Sequence, residues 1–156
     1  MKNRTEKTGS FVNDWATPDY ILDMVRKEFG EFHDPCPLNG LEQGLDGLSS
    51  EWGDVNYINP PYTRKDKEAF IVKALEESKK GKICVMLIPA STETKIFHDV
   101  IAPNAEVRLI RRRIKFKGTN SFGEYVTSKS GQCGSMFVIF GPEITPKIIV
   151  VDIGVV

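Results

Sequence analysis

Val55-Asn56-Tyr57-Ile58-Asn59-Pro60-Pro61-Tyr62 joins a short, strand-like apolar run to a loop that no regular element can absorb. Two consecutive prolines remove two backbone donors and fix two φ angles, so the carbonyls of Asn59 and Pro60 are not used up by a helix or a ladder around them. An amide oxygen, a proline carbonyl and an aromatic ring within one short loop suit a flat ligand that carries an amino group, such as adenine or cytosine. Such a ligand needs two acceptors and a stacking face. The same residues also read as a proline-stiffened strand-to-helix turn with a core tyrosine. Their surroundings decide.

Downstream, residues 65 to 80 place Phe70, Ile71, Ala74 and Leu75 at helical spacing, and Lys79, Lys80 and Gly81 close that helix. Residues 83 to 88 are apolar on both faces, as a central parallel strand must be, and Pro89 ends them. Residues 92 to 102 read as a helix with Ile96, Phe97, Val100 and Ile101 inward, and 105 to 110 as a strand. Residues 111 to 116 turn into a further strand or edge, 117 to 133 form a polar Gly/Ser/Lys loop, and 134 to 140 and 147 to 153 supply two more strands.

Upstream, Thr17 suits a helix N-cap, Pro18 the first helical position and Asp19 the positive end of the dipole. Ile21, Met24, Val25 and Phe29 form the inward stripe, and Gly30 stops it. Residues 32 to 36 make a short strand with Asp34 at its carboxyl end, and 37 to 53 a loop with one short helix. Residues 1 to 10 have no apolar face and read as a disordered arm, which leaves 11 to 156 as a single domain. Strands alternating with helices over 18 to 110 predict an α/β fold, a three-layer sandwich with a mostly parallel sheet, and the closing strands predict an antiparallel edge. Ligands of such sheets sit beyond the carboxyl ends of the strands, where Asp34 and Asn59 both fall.

With 156 residues, 40% hydrophobic and 27% charged, the composition is that of an ordinary globular protein. Its formal net charge is zero, so attraction to nucleic acid has to come from a local patch. One candidate runs from Arg108 through Arg111, Arg112, Arg113, Lys115 and Lys117 with no acid among them. It reads either as a solvated face or as a set of phosphate contacts beside loop residues Asn120, Ser121 and Gln132 that reach bases. Cys36, Cys84 and Cys133 are far apart and form no C-x-x-C pair, and the only histidines are His33 and His98. That pattern argues for reduced thiols in a cytoplasm and against a structural metal site. The chain opens on polar residues, and no apolar run approaches the ~20 residues needed to span a bilayer.

Several short elements occur in one order: Trp15-x-Thr17-Pro18, Asp34-Pro35-Cys36, Trp52 ahead of Asn59-Pro60-Pro61-Tyr62, Met86-Leu87-Ile88-Pro89, Arg113-Ile114-Lys115-Phe116 and Gly134-Ser135-Met136. Over residues 14 to 140 this order resembles the compact adenine-specific DNA methyltransferases of bacteriophages, the phage Dam-like family. The resemblance implies a Rossmann-like methyltransferase fold, S-adenosylmethionine as donor, adenine in DNA as acceptor, and a host-cell cytoplasm as the place of action. It assigns catalysis to Asn59, Pro60, Pro61 and Tyr62. Asn59 and Pro60 would accept the two amino hydrogens, and Tyr62 would stack on a base extruded from the duplex. Transfer would be a direct in-line displacement.

Donor binding would fall to Trp15, Thr17, Pro18, Asp34, Pro35, Cys36 and Asp46, with Asp54 the alternative to Asp46 as the acid on the ribose. DNA contact would fall to Arg111, Arg112, Arg113, Lys115 and Lys117. In place of the glycine-rich first motif of larger methyltransferases the chain has Asp34-Pro35-Cys36-Pro37. Simpler readings stay open: Thr17 as a cap, Asp34 as a turn-forming carboxylate, Asp46 and Asp54 as solvated acids, Trp15 and Trp52 as core. The same chemistry on cytosine, RNA or a protein amide, and a non-catalytic DNA-binding protein of the same fold, are the rival functions.

Overall fold

The computed structural model describes residues 15–37, 40, 44–119, 125–130 and 133–153, and the arm expected at 1 to 10 lies outside them. The main sheet has five strands: β2 (Val55–Ile58), β3 (Ile83–Pro89), β4 (Glu106–Arg111), β7 (Ser135–Phe140) and β8 (Lys147–Asp152), in the order β2-β3-β7-β4-β8. β2 pairs with β3, and β4 with β8, in parallel, whereas β7 runs antiparallel to both β3 and β4. The mostly parallel sheet is as expected. Its antiparallel member, however, lies in the middle and not at the edge. Side-chain polarity explains the exchange: β7 is buried at every position, while β8 begins and ends in charge and is exposed along most of its length.

Strand alternation then builds three layers. Val85 and Leu87 of β3 face α1 (Asp19–Phe29), packing with Ile21, Val25, Phe137 and Ile139. Cys84, Met86 and Ile88 face the other way, toward Phe70, Ile71 and Ala74 of α2 (Arg64–Ser78) and toward Phe97 and Ile101. Those last two belong to a π-helical turn, Phe97–Ile101, that runs into the short α3 (Ala102–Asn104), where a regular helix was expected. Gly30 ends α1 at φ 88°, a left-handed value that suits glycine, and its N–H donates to the Arg26 carbonyl at 2.8 Å.

Three expectations need correction. The strand expected at 32 to 36 is a single parallel bridge between His33 and Asn56. The short helix expected within 37 to 53 is, among the described residues, a turn in which the N–H groups of Ser49 and Ser50 donate to the Asp46 carbonyl. The polar loop expected from residue 117 contains a hairpin, β5 (Lys115–Thr119) and β6 (Tyr125–Ser130), with a bulge between Phe116 and Gly118. A two-residue strand, β1 (Trp15–Ala16), adds to β5 and makes a second, antiparallel sheet. Phe116 between two lysines is the period-two signal in a segment otherwise polar enough to read as loop.

Candidate active site

Because His33 bridges Asn56 in parallel, the chain leaves His33 and β2 at the same end of the sheet, which brings Asp34-Pro35-Cys36 beside Asn59-Pro60-Pro61-Tyr62. Buried β2 residues hold the second loop from below. The Asn56 side chain accepts from the Gly53 N–H at 2.9 Å and donates to the Gly53 and Ile83 carbonyls, and Ile58 is fully buried against α2. Asn59 is half-buried, Pro60 buried, and Tyr62 retains 37% of its exposure. The Tyr62 hydroxyl donates to Asn59 Oδ1 at 2.8 Å, so the amide oxygen is already directed at a hydrogen donor. Desolvation holds the Tyr62 phenol above its ordinary pKa, which keeps it a donor. The ring meets Phe116 of β5 edge-on, with centroids 6.4 Å apart. Sequence reasoning gave Phe116 no role; only its alternation with Lys115 and Lys117 could have placed it toward the interior.

The other half of the site starts at α1. Pro18 caps this helix with its carbonyl, and Thr17 makes no capping bond, so the N-cap reading of Thr17 falls. Instead the Thr17 hydroxyl is buried 2.7 Å from the Tyr57 hydroxyl, which ties the start of α1 to β2. The Ile21 and Leu22 N–H groups donate to the Pro18 carbonyl at 3.1 and 3.3 Å, and the helix dipole gives this end a partial positive charge beside Thr17. Asp34 Oδ1 accepts from the Cys36 N–H at 2.9 Å, which is its turn-forming role, and desolvation raises its pKa. Burial pushes the Cys36 thiol up to about 12, so this cysteine is neutral packing and not a nucleophile. Of Trp15 only the backbone, in β1, is described.

Asp46 sits next to these residues through its neighbour: a side chain on Gly47 would collide with the Pro35 carbonyl. The loop is pinned from α2, where Lys73 donates to the Leu48 and Ser50 carbonyls at 2.9 and 2.8 Å. The Trp52 indole donates to the Gly47 carbonyl at 2.8 Å and its ring stacks on Phe70, so Trp52 is core. Asp46 itself accepts from the Leu48 N–H and stays exposed.

Asp34 permits a test of sign. A carboxyl whose pKa is raised by folding opposes the fold in its ionised form; that cost is full above the raised pKa and vanishes as pH falls below the ordinary carboxylate value. Asp34→Asn, which can still accept from Cys36, is therefore expected to raise the melting midpoint slightly at pH 7, slightly because the side chain is exposed, and to lose most of that gain near pH 4. Calorimetry at the two pH values checks it; a lower midpoint at pH 7 would contradict it.

The basic run is less uniform in space than in sequence. Arg108 is held bidentately by Glu28 at 2.7 and 2.6 Å and also pairs with Glu106. Arg111 approaches Asp152 at 3.6 Å while staying exposed, and Lys117 turns to Asp19 at 3.2 Å. Arg112, in a left-handed conformation at φ 75°, Arg113 and Lys115 are exposed on the segment that leads from the carboxyl end of β4 to Phe116. The candidate base contacts Asn120, Ser121 and Gln132 lie outside the described residues. Alanine at Arg112 and Lys115 together is expected to shallow the salt dependence of DNA binding by about 2 in log–log slope, close to one unit per phosphate contact. Titrations at several salt concentrations check this, and an unchanged slope would return the run to a solvated face.

The model of the family described as DNA N-6-adenine-methyltransferase (Dam) matches residues 4–154. The chain belongs to this family. A solved structure from Listeria monocytogenes, described as a putative class I S-adenosylmethionine-dependent methyltransferase, shares the fold at a TM-score of 0.53 and 16% identity. The alignment covers 90% of this chain and 66% of that one, so the chain spans just under two thirds of that protein's length. A search of curated proteins finds no match. The family match spans the ordered elements from Trp15-x-Thr17-Pro18 to Gly134-Ser135-Met136, and the fold is shared with that solved structure.

Proposed function

We propose that the chain transfers the methyl group of S-adenosylmethionine to the exocyclic amino nitrogen of adenine in DNA. The observation that carries this reading is the adjacency, at one end of the sheet, of the Asn59-Pro60-Pro61-Tyr62 loop, the Asp34 loop and the buried Thr17 at the start of α1.

The residues fit the donor. Thr17 and the first turn of α1 suit a carboxylate, because helix N-termini favour anions. Asp34, a carboxyl that accepts from the Cys36 N–H, suits a cationic amino group, and Asp46, whose neighbour Gly47 packs on the Pro35 carbonyl, suits ribose hydroxyls. When bound, S-adenosylmethionine supplies a methyl group on positively charged sulfur.

Asn59 and Pro60 do the rest of the work by orientation. The adenine amino nitrogen is a poor nucleophile because its lone pair is delocalised into the ring. The Asn59 side-chain oxygen and the Pro60 carbonyl each accept one amino hydrogen, which draws the nitrogen toward tetrahedral geometry and frees the lone pair for in-line attack. An amide oxygen is too weak a base to remove a proton beforehand, so the proton leaves to water after transfer. In the free protein Tyr62 occupies the hydrogen position on Asn59 Oδ1 that the amino group would take. Its ring then stacks on the extruded base, at an unstacking cost of a few kcal/mol.

Arg111, Arg112, Arg113 and Lys115 hold phosphates on the same side. No helix among the described residues is long and apolar enough to cross a membrane, and Cys36, Cys84 and Cys133 are free thiols, which fits action in a cytoplasm on phage or host DNA. Incubation with isotope-labelled donor and unmethylated DNA, RNA or protein tests the proposal. Label in DNA alone is expected; DNA binding without transfer would overturn it.

A further inference from the structure

We propose that Tyr57 is a positioning residue for the methyl donor: its buried hydroxyl fixes the direction of the Thr17 hydroxyl and so the readiness of Thr17 to bind a carboxylate. This inference rests on the reading of Thr17 as a donor contact.

The argument follows one hydrogen. Tyr57 is 2% exposed, Thr17 is 6% exposed, and their hydroxyl oxygens are 2.7 Å apart. Each hydroxyl has a single hydrogen and two lone pairs, so one must donate and the other accept. Thr17 is the one side-chain partner of the Tyr57 hydroxyl among the described residues. Were Thr17 the donor, the phenol hydrogen would be buried with no acceptor, which carries the full desolvation penalty of an unmade bond. Of the two arrangements the geometry allows, Tyr57 donating to Thr17 is the one that satisfies the deeper of the two hydroxyls. The Thr17 hydrogen is thereby released to point away from Tyr57, toward an acceptor-only group at the start of α1.

Burial keeps the phenol protonated, since it raises the Tyr57 pKa well above its ordinary value. Position strengthens the case. The Tyr57 N–H donates to the His33 carbonyl at 3.0 Å, and its ring packs against Phe32 at 5.4 Å. Two residues later the same strand delivers Asn59. Tyr57 thus touches the Thr17 and Asp34 segments and carries the acceptor loop, so it sets the donor half in register with the acceptor half.

Binding of S-adenosylmethionine, measured by calorimetry on the wild type, Tyr57→Phe, Thr17→Val and the double variant, tests this. Tyr57→Phe keeps the ring and its packing, and is expected to weaken the donor about tenfold. In steady state the loss should fall on donor KM more than on kcat, with DNA KM unmoved. The double variant should bind no more weakly than Thr17→Val alone, because Tyr57 acts through that hydroxyl. Unchanged donor affinity in Tyr57→Phe would overturn the proposal, and so would additive losses in the double variant. If Thr17→Val alone leaves donor affinity intact, the donor-site reading fails with it; failure confined to Tyr57→Phe leaves that reading standing.

Discussion

Asn59→Ala is expected to reduce methyl transfer at least about a hundredfold, roughly 2.7 kcal/mol of transition-state stabilisation, while donor affinity stays within about twofold. The asymmetry follows from what Asn59 touches. Its amide oxygen faces the Tyr62 hydroxyl and, in the proposed function, belongs to the loop that holds the base, whereas Thr17 and Asp34 lie on other segments. Removing an acceptor aimed at the reacting amino group costs rate, because that contact strengthens as the nitrogen becomes tetrahedral. Single-turnover rates at saturating donor, with calorimetric donor titration alongside, separate the two effects. A rate within about tenfold of the wild type would remove Asn59 from the acceptor role. A large loss of donor affinity would move it to the other half of the site.

Leu87→Ala carries the largest expected cost in stability. Leu87 is fully buried in β3, packed in the cluster that joins α1 to the sheet through Ile21, Val25, Phe137 and Ile139. Deleting a side chain there loses its transfer energy and leaves a cavity, for about 2–5 kcal/mol. In a domain of this size that lowers the melting midpoint by about 6–15 °C. Thermal unfolding checks it, and a shift of less than about 2 °C would show that the α1 face of the sheet is not close-packed around Leu87. The same variant bears on function, since β3 is the neighbour that holds β2 and hence the Asn59 loop in place.

Most of the sheet could be read from the pattern of apolar residues, because β2, β3 and β7 are short, largely apolar runs, β4 sets Val107, Leu109 and Ile110 among charges, and α1 and α2 carry inward stripes. What periodicity cannot convey is order: an all-apolar strand belongs inside a sheet, yet nothing local says which neighbours it takes or in which direction. The hairpin β5–β6 escaped because lysines, serines and glycines dominate it, and its partner β1 is only two residues long.

In the candidate site, the residue types of Asn59-Pro60-Pro61-Tyr62 suggest an amino-group clamp from sequence alone. Their partners could not be read there. Thr17 looks like a cap from sequence because Thr-Pro-Asp is good capping composition, and only the fold brings Tyr57 to its hydroxyl. Arg108 looks like part of a basic patch, and only the fold supplies Glu28 from α1 and Glu106 from its own strand to neutralise it. Phe116, in the smaller sheet, meets Tyr62 in the loop that leaves β2, a contact with no local signature.

The most direct test of the central claim, that Asn59 and Pro60 hold an adenine amino group for methylation, is nucleoside analysis by mass spectrometry. Unmethylated DNA is incubated with the purified protein and S-adenosylmethionine, digested to nucleosides and compared with the same reaction run with Asn59→Ala. The wild type should yield N6-methyladenine and no methylated cytosine, and the variant almost none. Methyl groups on cytosine, or N6-methyladenine formed equally well by the variant, would contradict the claim.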